Sequence, residues 1–218
     1  MAKFPSRQDT RDIGGWELRV HRLGSRAGIV VPDARSLRLQ ESPYTTFLVK
    51  RFDRNAQGGR LAFVSAMPLT QHRDGEAGAS YLELVDLLQS RGSKKESDCE
   101  QLFRRVPFNI MIHNTDDHLR NHGFFIDELG VRLSPAYDMN PSIDRTELSL
   151  AINEVDSACD VSIAMDAHKH YGLTVQHAAL VRKQVQAAVA TWRVEASRLR
   201  ISRTEQDLMA PAFENAGE

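Results

Sequence analysis

Apolar residues recur along this chain at two periods, and the change between them divides it. From 12 to 28, "DIGGWELRVHRLGSRAG", Trp16, Val20, Leu23 and Ala27 fall at helical spacing, and Gly28 suits a helix C-terminus. "AKF" before it reads as a short strand stopped at Pro5. After it, "IVVPDARSLRLQ" looks extended through Ala34, Leu37 and Leu39. The aromatic and β-branched content of "YTTFLVKRFDR" predicts a strand over 44–54. "NAQGGR" makes a turn, and "LAFVSAM" a further short extended piece.

The remainder is mostly helical. "GASYLELVDLLQSRG" puts Tyr81, Leu84, Val85 and Leu88 on one face. "SDCEQLFRRVPFNIMI" puts Leu102, Val106 and Ile110 at i, i+4 and i+8, with Pro107 inside, where an undistorted helix would lose about 3 kcal/mol. "GFFIDELGVRLSP" is two short strands around a turn. "DVSIAMDAHKHYG" reads as a helix ended by Gly172. Thr174 caps a long helix whose Val181, Val185, Ala188, Val189 and Trp192 line one face. Ser202 and Glu205 have capping-box spacing for a last short helix, with Ile201 placed for the staple. The order is α+β: strand, helix and two or three strands over 1–65, then a mainly helical 66–218.

Composition changes this picture little. The 218 residues are 41% hydrophobic and 26% charged, within the globular range. No apolar run reaches membrane-span length, and the N-terminus lacks the apolar stretch of a secretory signal. Cys99 and Cys159 are far apart and read as free thiols in a reducing cytoplasm. Charge is uneven: 12 Lys/Arg against 6 Asp/Glu in residues 1–60, and 2 against 9 in residues 123–166. A basic third attracts phosphates or nucleic acid, but no basic stripe interleaved with aromatics is present, so direct nucleic-acid recognition is disfavoured.

The chemistry concentrates in "HNTDDHLRNHGF", residues 113–124. Three readings compete. His113, His118 and His122 with Asp116 and Asp117 could ligate a metal. Alternatively, Asp116 and Asn121 have the D-x-x-x-x-N spacing of a phosphoryl-transfer loop. The Asp would accept the proton of the attacking hydroxyl. The Asn would reach a magnesium on the nucleotide phosphates. A second acidic ligand is required beyond a hairpin, and Asp138 follows "GFFIDELGVRLSP" in "AYDMN". The third reading is a polar turn bonded to its own backbone. The second gains from Lys3 on a strand and Glu17 on the next helix, the pair a kinase uses to hold the α- and β-phosphates. "LVKRFDR" would be the hinge that meets adenine, with Phe52 packing below.

"AKFPS", "FLVKRFDR", "LFRR", "FNIMIHNTDDHLRNHGF" and "LSPAYDMNPS", in this order, resemble the HipA-type kinases, the toxins of bacterial toxin–antitoxin systems. The resemblance runs over essentially the whole chain. It implies a protein-kinase-like α+β fold with a small N-terminal strand/helix lobe and a mainly helical C-terminal lobe. It implies a serine/threonine protein kinase using ATP and Mg2+, located in the cytoplasm. Asp116 would be the base, with His118 beside it in the catalytic set. Asn121 and Asp138 would hold magnesium. Lys3, with Glu17, would contact the phosphates, and Lys50 and Phe52 would supply the hinge. The implied partners are a protein substrate such as an aminoacyl-tRNA synthetase or other translation factor, and a DNA-binding antitoxin through which DNA is met only indirectly. In the family a Gly-rich loop precedes the Lys3 strand. The sequence starts at that strand, so a longer native chain or a separate N-terminal subunit is expected to supply the loop. The alternative is a catalytically silent module that binds an antitoxin or an antitoxin–DNA complex.

Overall fold

The computed structural model describes residues 1–40, 42–76 and 78–216. Its first sheet has the order β1-β3-β2, with β1 Ala2–Lys3, β2 Ala34–Arg38 and β3 Thr45–Val49, all antiparallel. β3 ends at Val49, five residues before the predicted end of that strand; one last bond in register with β2, from Lys50 N–H to the Asp33 carbonyl, follows it. β2 is likewise shorter than the extended run expected from 29 to 40.

Helix α1, Ile13–Arg26, joins this sheet to the helical body. Asp12 accepts from Gly15 N–H, capping the helix, and also from the N–H and hydroxyl of Thr45 on β3. A Cβ on Gly14 would lie 2.3 Å from the Thr45 carbonyl, so only glycine permits this approach. At the other end Gly28, at φ +80°, takes the left-handed turn that L residues resist.

A second antiparallel sheet, in the order β4-β5-β6, comprises β4 Phe63–Ser65, β5 Gly123–Asp127 and β6 Gly130–Leu133. The hairpin over 123–133 is as expected. β4 is the extended piece of "LAFVSAM", and it runs straight into a one-turn helix, α2 Ala66–Leu69.

The helical body is built on α4, Lys95–Met111, with α3 Tyr81–Arg91, α5 Val161–Asp166 and α6 Val175–Val189 packed around it. Tyr81, Leu84, Val85 and Leu88 of α3 are all buried, as are Leu102, Val106 and Ile110 of α4. The apolar periodicity therefore marked the core faces correctly. α4 starts two residues earlier than the sequence suggests and continues past Pro107. Burial of Phe103, Val106 and Phe108 around the ring offsets the missing N–H.

Two expectations are corrected near the C-terminus. The long helix ends at Val189, and Trp192 opens a separate helix, α7 Trp192–Arg198. There it stacks on Phe213 with ring centroids 4.5 Å apart. α8, Arg203–Leu208, has only half of its capping box. Ser202 accepts from Glu205 N–H, but the Glu205 carboxylate accepts instead from Asp12 N–H and the Trp16 indole, both at 2.9 Å. The tertiary partners outcompete the local one because they are otherwise unsatisfied donors at the start of α1. Both cysteines are free thiols, and no helix among the described residues is long and apolar enough to cross a membrane.

Candidate active site

Three distant parts of the chain meet at Lys3. Its ammonium lies 2.6 Å from Glu17 Oε1 on α1 and 2.5 Å from Asp138 Oδ1, which follows the hairpin. Pairing of Ala2 with Leu48 and Lys3 with Phe47 fixes β1 on β3 and so aims the side chain. Burial works against the charged ammonium, but the two carboxylates outweigh it and Lys3 holds its proton more tightly than usual. Burial pushes the Glu17 carboxyl above its ordinary range, and Lys3 only partly opposes this. Asp138 sits at φ +57°, in the left-handed region that non-glycine residues enter at a cost of order 1–3 kcal/mol.

Lys3, Glu17 and Asp138 line a cavity of about 230 Å³ with His21, Phe47, Val49, Tyr137 and others. Glu17 and His21, one helical turn apart, face it together. A second cavity of about 210 Å³ shares Met1, Val49 and Tyr137 with the first and is otherwise lined by 50–53 and Phe63. Phe52 belongs to an aromatic cluster, with centroids 5.4 Å from Phe63, 5.9 Å from Phe125 and 5.5 Å from Tyr137. Lys50 is different. Its N–H is already given to the Asp33 carbonyl at 2.8 Å, and its exposed ammonium stands 3.7 Å from the Asp33 carboxylate. That N–H is engaged in this structure, and Lys50 and Phe52 both line the second cavity.

The polar loop starts where α4 stops. His113 takes φ +49°, and the chain turns so that Asn114 N–H reaches the Asn109 carbonyl. Asp117, 3% exposed, is the centre of the loop. Its Oδ2 accepts from Tyr81 OH at 2.5 Å and Asn109 Nδ2 at 2.9 Å, and pairs with His122 Nε2 at 2.9 Å. Burial alone would raise this carboxyl. His122, Tyr81 and the nearby Arg105 guanidinium reverse that and hold it below the ordinary value. Burial also draws Arg105 down to about 10, while its Nη2 donates to the Ser134 carbonyl.

Asp116, the adjacent residue, is exposed, and its carboxylate has no protein hydrogen bond among the described residues. Its carbonyl accepts from Asn121 Nδ2 at 3.3 Å, and Asn121 Oδ1 has no hydrogen-bond partner among the described residues. His118 lies 3.2 Å from Arg120, which also pairs with Asp74. Tyr137, beside Asp138, donates to the Arg120 carbonyl at 2.7 Å and so ties the loop to the cavity wall.

The three histidines face three different surroundings, and no group of three His, Cys, Asp or Glu side chains among the described residues is placed to hold a metal. The histidine-ligand reading therefore has no geometry behind it here. The oxygens of Asn121 and Asp138 are hard donors of the kind magnesium accepts, and Asp138 Oδ2 has no partner among the described residues. Lys3, Glu17 and Asp138 converge on one cavity and Lys50 and Phe52 line the adjoining one, while His118 lines neither. From the sequence, Asp117 is only a possible metal ligand and Tyr81 only a core-face residue, and Asn109 and Tyr137 do not stand out. One signal was present: Tyr81 and Asn109 are polar groups within otherwise apolar helix faces, which implies a buried polar partner.

The model of the HipA-like C-terminal domain matches residues 1–193 of the chain. Among curated proteins, a putative kinase, Y4mE, of Sinorhizobium fredii is 23% identical over 159 residues, covering 68% of this chain and 36% of its own length. Among solved structures, Shewanella oneidensis HipA, determined with HipB and operator DNA, superposes with a TM-score of 0.71 at 18% identity, covering 99% of this chain and 56% of that one. The Helicobacter pylori proinflammatory kinase CtkA superposes with a TM-score of 0.64 at 10% identity, covering 99% and 85%. The fold is that of these kinase-like proteins, and the chain spans only about a third of Y4mE and little more than half of the Shewanella HipA.

Proposed function

Since the chain belongs to the HipA-like C-terminal domain family, we propose that it is the ATP- and Mg2+-dependent serine/threonine protein kinase domain of a bacterial toxin–antitoxin system. The observation that carries this reading is the convergence of Lys3, Glu17 and Asp138, drawn from a strand, a helix and a post-hairpin loop, onto one cavity. A nucleotide polyphosphate needs such a fixed ammonium, and Glu17 keeps it in place when no phosphate is bound.

Asn121 and Asp138 would hold the magnesium, which supplies charge neutralisation at the transferring phosphoryl group. Asp116, whose carboxylate has no hydrogen-bond partner among the described residues, orients an acceptor hydroxyl and takes its proton. His118, which lies 3.2 Å from Arg120, belongs to the same loop and joins the catalytic set. The Phe52 and Tyr137 rings offer an apolar, stackable surface for the base of the nucleotide. On this reading residues 1–65 act as part of an N-lobe with its hinge, and 66–218 as the catalytic lobe. The protein works in the cytoplasm. Its partners are a protein acceptor, such as a translation factor, and a DNA-binding antitoxin, as HipB partners the Shewanella HipA.

The test is incubation with γ-labelled ATP and Mg2+ and a host proteome, alone and with a supplied N-terminal segment carrying a glycine-rich loop. Phosphoserine and phosphothreonine are read by mass spectrometry. The expected result is transfer that Asp116→Asn and Asp138→Asn abolish. Absence of both transfer and Mg2+-nucleotide binding in folded protein overturns the reading. Transfer-independent antitoxin binding with an inert Asp116→Asn would assign a binding module instead.

A further inference from the structure

The Asp138 oxygen that meets Lys3 has a second donor, Asn140 Nδ2 at 3.2 Å. Asn140 N–H donates to Asn114 Oδ1 at 3.3 Å, and Asn114 Nδ2 donates to Asn109 Oδ1 at 3.2 Å. Asn109 Nδ2 donates to Asp117 Oδ2 at 2.9 Å. The chain of bonds thus runs from one carboxylate to the other through three asparagines. Asn109 and Asn114 are 2% and 1% exposed, so water does not compete for these contacts.

The two carboxylates lock every amide in the chain. A carboxylate accepts only, so Asn109 must turn its nitrogen to Asp117 and its oxygen to Asn114. Asn114 must then give its nitrogen to Asn109 and its oxygen to the Asn140 N–H. Asn140 must give its nitrogen to Asp138. This last constraint leaves Asn140 Oδ1 buried with no partner, a state that costs about 1–3 kcal/mol. Flipping that amide would give the orphan oxygen no relief, since it would then face a carboxylate. The arrangement sacrifices local satisfaction to keep a donor on Asp138.

We propose that Asn109, Asn114 and Asn140 are positioning residues that hold the Asp138 carboxylate in register with the buried Asp117 of the loop. The inference rests on the reading of Asp138 as a magnesium-side ligand. Through this relay the loop carrying Asp116 and Asn121 and the segment carrying Asp138 share one rigid reference. Groups that orient a metal ligand from behind contribute to metal affinity without touching the metal.

Two variants test it. Asn114→Asp keeps an oxygen toward Asn140 N–H but sets an oxygen against Asn109 Oδ1, so it breaks the relay away from Asp138. Asn140→Ser, at a half-buried position, breaks it at Asp138 and serves where the first fails to fold. Two quantities are read: the carboxyl 13C resonance of Asp138 at fixed pH, assigned with Asp138→Asn, and the affinity for ATP with and without Mg2+. We expect the Asp138 resonance to move in both variants. Mg2+-ATP affinity should fall roughly 10–100-fold while metal-free ATP affinity stays within about twofold. An unmoved resonance in either folded variant overturns the relay, as does an equal loss of affinity with and without the metal. If the wild type binds no Mg2+-nucleotide, the kinase reading fails, and the resonance alone still decides the relay.

Discussion

Asp116 and Asp117 are adjacent in the chain and opposite in environment: the first carboxylate is exposed and unbonded, and the second is buried among Tyr81, Asn109 and His122. The loop is thereby anchored by one aspartate and presents the other. The two should separate cleanly on mutation.

Removing Asp117 leaves Tyr81, Asn109 and His122 buried without their acceptor and takes a nearby negative charge from the buried Arg105. Asp117→Ala should cost about 3–5 kcal/mol in urea denaturation, as for other broken buried ion pairs. Asp116→Asn should leave the denaturation midpoint within about 0.5 kcal/mol of the wild type, the range for surface changes. If Asp116 is the general base, the same change lowers transfer by roughly 10²–10⁴-fold.

Asp117 also dictates an acid response. Its folded-state value is depressed below the ordinary 3.8, so the stability it contributes is fully present above that pH and is lost as pH falls through the folded value. Between about pH 4 and pH 2, the wild type should lose stability more steeply than Asp117→Asn, whose amide does not titrate. Parallel slopes in urea melts at the two pH values would contradict the assignment.

Lys3→Met removes the only cation bonded to Glu17 among the described residues. The Glu17 carboxyl is already raised by burial, and losing Lys3 raises it further. A raised carboxyl loses stability as pH climbs above its unfolded value of 4.5, so Lys3→Met should be weakened most at neutral pH, by about 1–3 kcal/mol. The double variant Lys3→Met, Glu17→Gln should recover most of that loss while remaining unable to bind nucleotide. Thermal melts at several pH values and nucleotide titrations measure the two effects.

Phe52→Ala removes the ring that touches Phe63, Phe125 and Tyr137. The side chain is half-buried, so the loss should be about 1–3 kcal/mol, below that of a fully buried phenylalanine. Phe52→Leu keeps much of the volume and should restore stability more than it restores ATP affinity, because a leucine cannot stack on the base. Equal recovery of both would argue against a stacking role.

Elements dominated by one repeating apolar face were legible before any coordinates. Trp16, Val20 and Leu23 of α1 and Leu84 and Leu88 of α3 are buried where their spacing placed them. The 123–133 hairpin and the Asp138 that follows it were readable from β-propensity and turn residues. Errors fall at ends, where a long-range partner decides. Glu205 abandons its own helix cap for Asp12 and Trp16. Neither competitor is near in sequence.

The candidate site divides along the same line. Spacing alone singled out Asp116 and Asn121, since a local turn determines which side chains they can share. That Lys3 meets both Glu17 and Asp138, 14 and 135 residues away, follows only from β1 pairing on β3 and α1 packing beneath it. Which of two neighbouring aspartates is buried depends on Tyr81 and Asn109 arriving from two other helices. Local periodicity sets secondary structure because it acts through the chain's own geometry. Burial and electrostatic partnership are set by contacts between segments, and those exist only once the chain has folded.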